Sequence, residues 1–416
     1  MPHPIKILPV AQNWDCHTCG DCCRRMEAVI TDEEKRRIEA LDLADDPEVA
    51  PKPWFRPASG DKWSLAHRPD GGCVFLTGKN YCRIQERFGA EVKPFVCRLF
   101  PFLLIPAGNQ WRVGMRFSCP SAAANRGRPV AQSEKDLIEL SRLLEKHVGR
   151  SADSAPAPPL RPGQQVAWPE LLRAVQVLTE IVKDRGDRVE RRLRRCLAVA
   201  RIGAQAKLEN LSGNKISEFL KVVSAGLEPE IPGTATDVAL PDRVLGRLLF
   251  RVLLAIYARK DRGVSGKPGV GGRIARVRDG WQFARGHGHV PRINESMPEI
   301  TFGEVEARPG MPPELDETLE RYYTVKLSSM QFCGPSNFDL PFWAGVESLV
   351  LTFPMILWLY RAFGDRPPAE ALQCAIQLVD DHFGGDRMLG LPHIRHLQRT
   401  LVERGELEKL VAWYGR

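Results

Sequence analysis

Residues 16–23 read Cys16-His17-Thr18-Cys19-Gly20-Asp21-Cys22-Cys23, four thiols within eight positions. Cys16, Cys19 and Cys22 form C-x2-C-x2-C. This spacing lets one loop wrap three thiolates around a single centre. Iron–sulfur ferredoxins use the same run, and their remaining ligand is often a cysteine followed by proline. Cys119-Pro120 supplies such a pair. Cys23 is expected to point away from Cys22, because neighbouring side chains diverge, and to serve a different metal or a second position of a larger centre. Cys73, Cys82 and Cys97 complete a second set of four with it.

Eight thiols therefore serve either two four-ligand centres or one centre plus a redox pair. In the first case the sets are Cys16, Cys19, Cys22 and Cys119, and Cys23, Cys73, Cys82 and Cys97. A zinc site with four thiolates would stabilise an irregular domain without any reaction. The third cysteine at the same spacing favours an iron–sulfur cluster, [4Fe–4S] first, over zinc. His17, inside the run, either tunes the centre by a hydrogen bond or faces solvent. Arg83 and Arg98 directly follow Cys82 and Cys97, and read equally as thiolate-stabilising cations or as surface charges.

The rest of the composition constrains the setting. The chain has 416 residues, 43 % hydrophobic and 26 % charged, so two domains with ordinary cores are expected. The first fifteen residues show no charged segment leading into a long apolar run, so no secretory signal and a cytoplasmic location are expected. In that reducing compartment eleven cysteines point to metal or redox chemistry rather than disulfides. Cys196, Cys333 and Cys374 are isolated and read as core residues. The net charge of +8 comes mostly from arginines alternating with acids, read as a solvated surface. No nucleic-acid partner is expected.

Along the chain, residues 1–125 are cysteine-rich and irregular. The exception is a short helix at 31–41, with Thr31 and Glu34 at capping-box spacing. An amphipathic helix spans 131–148, and a proline-rich connector follows at 149–165. Apolar residues at three- and four-residue spacing predict helices over 168–184, 187–206, 215–226, 242–259, 313–330, 340–363, 367–383 and 391–413. Residues 261–312 break the pattern and read as a long irregular excursion, with a glycine-rich basic loop at 264–272 that matches no phosphate-binding motif. His287 and His289 read as exposed loop residues, and 321–343 as a helix end followed by a proline turn. The stretch 342–360 is long enough to span a membrane, but Glu347 and Pro354 favour a buried core helix, and no membrane association is expected.

The expected fold is thus mostly α. A cysteine-cluster metal-binding domain (1–125) leads through a helix and linker (126–165) to a larger α-helical domain (166–416).

"CHTCGDCCRR", "GGCVFL", "YCRI" and "KPFVCRLFPF", in that order, resemble the CxxCxxCC family, the YkgJ-type zinc- or iron-chelating cysteine-cluster proteins, over roughly residues 14–120. Members often carry Arg-Pro before the last element, where this chain has Lys93-Pro94. Longer members are similar to bacterial flagellin lysine N-methylases, which join the cysteine domain to a helical region. That resemblance implies transfer of a methyl group from S-adenosylmethionine to lysine on a protein substrate. It assigns no catalytic or cofactor-binding residue here. The alternative is a non-enzymatic protein with a structural or redox-sensing metal and a helical interaction domain.

Overall fold

A computed structural model describes residues 3–8, 10–148, 152–259, 270–294 and 296–416. Prolines, glycines and cysteines keep the first elements short. They are β1 (Ile5–Lys6), α1 (Asp21–Arg25), β2 (Val29–Ile30), α2 (Asp32–Glu39), β3 (Phe55–Pro57), β4 (Trp63–Leu65), α3 (Arg83–Phe88), α4 (Phe95–Leu99), β5 (Phe102–Pro106), β6 (Trp111–Met115) and α5 (Pro120–Ala123). The helix anticipated at 31–41 is α2. Thr31 Oγ accepts the Glu34 N–H, and the Glu34 carboxylate accepts the Thr31 N–H. β2, β4 and β3 form an antiparallel sheet in that order, and β1, β6 and β5 form a second sheet in which β1 runs parallel to β6.

The helical body comprises α6 (Glu134–Val148), α7 (Trp168–Val182), α8 (Val189–Gln205), α9 (Lys215–Leu227), α10 (Leu245–Tyr257), α11 (Val270–Arg285), α12 (Phe302–Ala307), α13 (Asp316–Ser328), α14 (Phe342–Ala362), α15 (Pro368–His382), α16 (Pro392–Glu403) and α17 (Glu406–Gly415). α14 is apolar on every side and is buried among α8, α15 and α17. This is the packing expected of a helix with no polar face.

Two helical expectations need correction. The excursion at 261–312 contains α11 and α12. Gly271, Gly272 and Gly280 weaken the propensity of α11, but Phe283 stacks against Phe302 and Trp358, so tertiary packing holds it. Of the glycine-rich loop, 264–269 lies outside the described residues, and 270–272 begin α11. The single helix expected at 391–413 is two, α16 and α17. They are divided at Gly405, whose φ of 70° lies in the left-handed region that glycine adopts without strain.

The described part of the proline-rich connector lies against the body. Pro159 and Leu160 carbonyls accept the N–H groups of Phe342 and Trp343, satisfying two donors that the first turn of α14 leaves without helical partners.

The apolar interior divides differently from the composition. Twelve buried side chains, from Ala28 to Ile84, form a small separate core. β5, β6 and α5, by contrast, belong to the same continuous core as the helices. The join is polar as well as apolar. The Arg321 guanidinium, buried on α13, donates to Gln12 Oε1 and to the Ala122 and Ala123 carbonyls. Lys326 pairs with Asp380 and donates to the Met115 carbonyl, while Asp380 accepts the Ser118 N–H.

Candidate metal centre

Cys22, Cys23, Cys73, Cys82 and Cys97 line one cavity of about 50 Å³ at the edge of the small core. Each arrives on a separately fixed piece of backbone. Gly20 opens α1 with φ 72°, and a Cβ there would run into the Arg24 guanidinium, which donates to Asn80 Oδ1. Cys73 donates its N–H to the Cys23 carbonyl, joining two of the thiol-bearing segments directly. It also bridges to His67, and Cys82 bridges to Leu76. Cys82 then stands at the N-terminus of α3.

Cys97 rides on α4, whose Phe95 N–H donates to the buried Glu34 carboxylate at 2.7 Å. Burial raises the Glu34 carboxyl, but the N–H groups of Phe95 and Thr31 and the His147 ring outweigh that effect and hold it low. The capping residue of α2 therefore also anchors the helix that carries a thiol.

Cys22 and Cys23 do not diverge as expected. On a helix, successive side chains are about 100° apart rather than on opposite faces as in a strand. Both sulfurs reach the cavity, 3.9 Å from each other.

The remaining thiols stand outside this lining. Cys16 and Cys19 are exposed, and Cys119 is buried at the N-terminus of α5. The Cys19 and Cys119 thiols are still near enough to repel charge on Cys22. The His17 ring contacts the Asp15 carbonyl and Ser121 Oγ, both at 2.9 Å, and ties the 16–19 loop to α5. Cys196 and Cys333 are core residues, and Cys374 is partly buried against Arg366. His287 and His289 are exposed.

The arginines beside the thiols are spoken for. Arg83 pairs with Asp46 and Glu86, and Arg98 with Glu139. The cation on the cavity is Lys93, which draws both the Cys22 and the Cys97 thiols down. Sequence reasoning noted Lys93 only as a departure from Arg-Pro. Its place two residues before α4 was the available signal. His67, Met26 and Phe100 complete the polar and apolar walls and were not foreseen.

Electrostatics favour neutral thiols in the absence of a cation. The hydrogen bond with Cys23 and then burial push Cys22 well up. Burial pushes Cys73 up to about 12, raises Cys97 strongly, and lifts Cys119 to about 11. As placed, no three His, Cys, Asp or Glu side chains among the described residues enclose a single ion. The five sulfurs line a shared space without closing on one point. Their chemistry nevertheless fits a soft cation. Sulfur donors select zinc or iron, and a bound cation reverses the cost of ionising buried thiols.

No curated protein and no solved structure matches the chain. Residues 15–120, which contain the eight cysteines of the two candidate sets, match the model of the CxxCxxCC family, described as "Putative zinc- or iron-chelating domain".

Proposed function

We propose that the chain is a cytoplasmic metal protein in which Cys22, Cys23, Cys73, Cys82 and Cys97 supply the ligands for zinc or iron. The observation that supports this is the meeting of five thiols, from four separate stretches of chain, on one cavity. A tetrahedral ion takes four ligands, so five thiols either leave at least one in reserve or serve more than one metal atom. The small core beside the cavity has only twelve buried side chains, and regions of that size commonly depend on a metal for stability. Metal and acid-labile sulfide analysis of anaerobically purified protein tests the reading. Zinc or iron without sulfide indicates a chelated ion. Iron with matching sulfide indicates an iron–sulfur cluster held by these thiols. Protein purified free of both metals, and unable to take either up, overturns the proposal.

A finer reading rests on layout. A cysteine domain followed by a helical body suits transfer of a methyl group from S-adenosylmethionine to a protein lysine. Equilibrium dialysis of metal-loaded protein against S-adenosylmethionine tests it, and absence of uptake removes it.

A further inference from the structure

A second cavity shares no residue with the cysteine site. It is a cleft of about 550 Å³ between the β1–β6 edge of the N-terminal sheet and α7. That volume is in the range of small-molecule pockets, roughly 300–1,000 Å³. Its charge is one-sided. Lys6, Arg112, Arg173 and Lys183 line it, against one carboxylate, Glu180, which pairs with Lys221, while Arg173 pairs with Glu170 outside the lining.

Two of these cations are placed against their own interest. Lys6 and Arg112 are register partners on adjacent parallel strands, so their side chains leave the same face of the sheet side by side. Like charges opposite each other in a sheet are destabilising. Among the described residues neither pairs with a carboxylate. Arg112 donates through Nη1 to the Ser328 carbonyl at 2.5 Å, while its buried Nε finds no partner. Burial draws the Arg112 guanidinium down, with no acid to offset it. Leu8, Leu172 and Val175 supply apolar wall, alongside the polar Gln176, Thr179 and Ser328.

We propose that this cleft binds an amphipathic organic anion, its carboxylate or phosphate on Arg112 and Lys6 and its apolar body along Leu8, Leu172 and Val175. The anion supplies the negative charge that the side-by-side Lys6 and Arg112 lack. A guanidinium–oxyanion contact accounts for an arginine at this half-buried position with no carboxylate partner. The proposal is independent of the metal reading, because no cysteine contributes to the cleft.

Isothermal titration of the metal-loaded full chain with octyl phosphate, octanoate, octyl glucoside and inorganic phosphate tests it. Octyl phosphate or octanoate should saturate one site per chain, with inorganic phosphate at least about tenfold weaker and octyl glucoside weaker still. Arg112→Met should weaken the anion about tenfold or more. If Arg112→Met does not fold, Lys6→Gln and Arg173→Gln, both nearer the surface, carry the test through a loss of about threefold or more when combined. Metal content measured on each sample keeps a failure of the cysteine site apart from a failure of the cleft. Three results overturn the proposal. They are no binding of either anion below about 1 mM, undiminished binding by the variants, and equal binding of octyl glucoside or inorganic phosphate.

Discussion

Cys22 and Cys23, consecutive in the chain, hold their sulfurs 3.9 Å apart on one cavity wall. That pair separates two ligand sets by experiment. Cys22→Ser, Cys73→Ser and Cys97→Ser should each lower bound metal per chain to less than about half after purification, because a thiolate ligand is lost from a cavity that offers no carboxylate in its place. Cys16→Ser, at an exposed position outside the lining, should retain metal near the level of the unaltered protein. Elemental analysis of the four variants decides between the cavity set and a set built on Cys16, Cys19 and Cys22.

Removing the metal should loosen the molecule unevenly. The small core from Ala28 to Ile84 has few apolar contacts of its own, whereas α14 sits in the continuous large core. After chelation, amide exchange should accelerate by about a hundredfold or more across β2, β3, β4 and α3, with α14 and α15 little changed. Uniform acceleration throughout would contradict a local role for the metal.

Lys326 and Asp380 form a buried ion pair where α13 and α15 meet the segment after β6. Burial pulls the Lys326 ammonium down and Asp380 holds it up. Lys326→Met leaves the Asp380 carboxylate buried and unpaired, and should cost about 3–5 kcal/mol by urea denaturation. The double variant Lys326→Met with Asp380→Asn keeps an acceptor for the Ser118 N–H, and should cost less than the lysine substitution alone.

Glu347 of α14 gives a pH dependence of opposite sign to most carboxylates. Burial, then repulsion from Glu403, pushes its carboxyl up to about 7, partly offset by Arg399. An unfolded glutamate releases its proton near pH 4.3. Between those values the folded state holds the proton that the unfolded chain has lost, so this residue's contribution falls as pH rises and is fully unfavourable above about 7. Glu347→Gln should match the unaltered protein near pH 4 and exceed it by roughly 3–4 kcal/mol at pH 8. Thermal denaturation across that range checks it, and a gap independent of pH would refute the assignment.

What was legible in the sequence had local causes. The capping box of Thr31 and Glu34 is written in four residues, and the long, mostly apolar run of α14 marks it as a core helix. The cysteines were visible as residues, but not their grouping. Cys22 and Cys23 converge because the chain is helical there, a fact that a five-residue helix hides from periodicity. Lys93 looked like a family variation, and became a cavity wall through the placement of α4. α11 depends on Phe302 and Trp358, distant residues that no local window contains. The compositional boundary at 125 reflects where cysteines stop, whereas packing depends on where apolar faces meet.

That last difference bears on how the protein can be taken apart. Phe102, Leu104, Trp111, Val113 and Met115 turn inward upon the helices, and Arg321 reaches back to clasp Gln12, Ala122 and Ala123. Excising residues 15–120 would strip β5 and β6 of the surface they lie on and remove β1 from the sheet edge. Such a fragment would expose a broad greasy flank and clump, metal or no metal. In this chain the cysteine-bearing segment is rooted in the helical body and does not end where its thiols do.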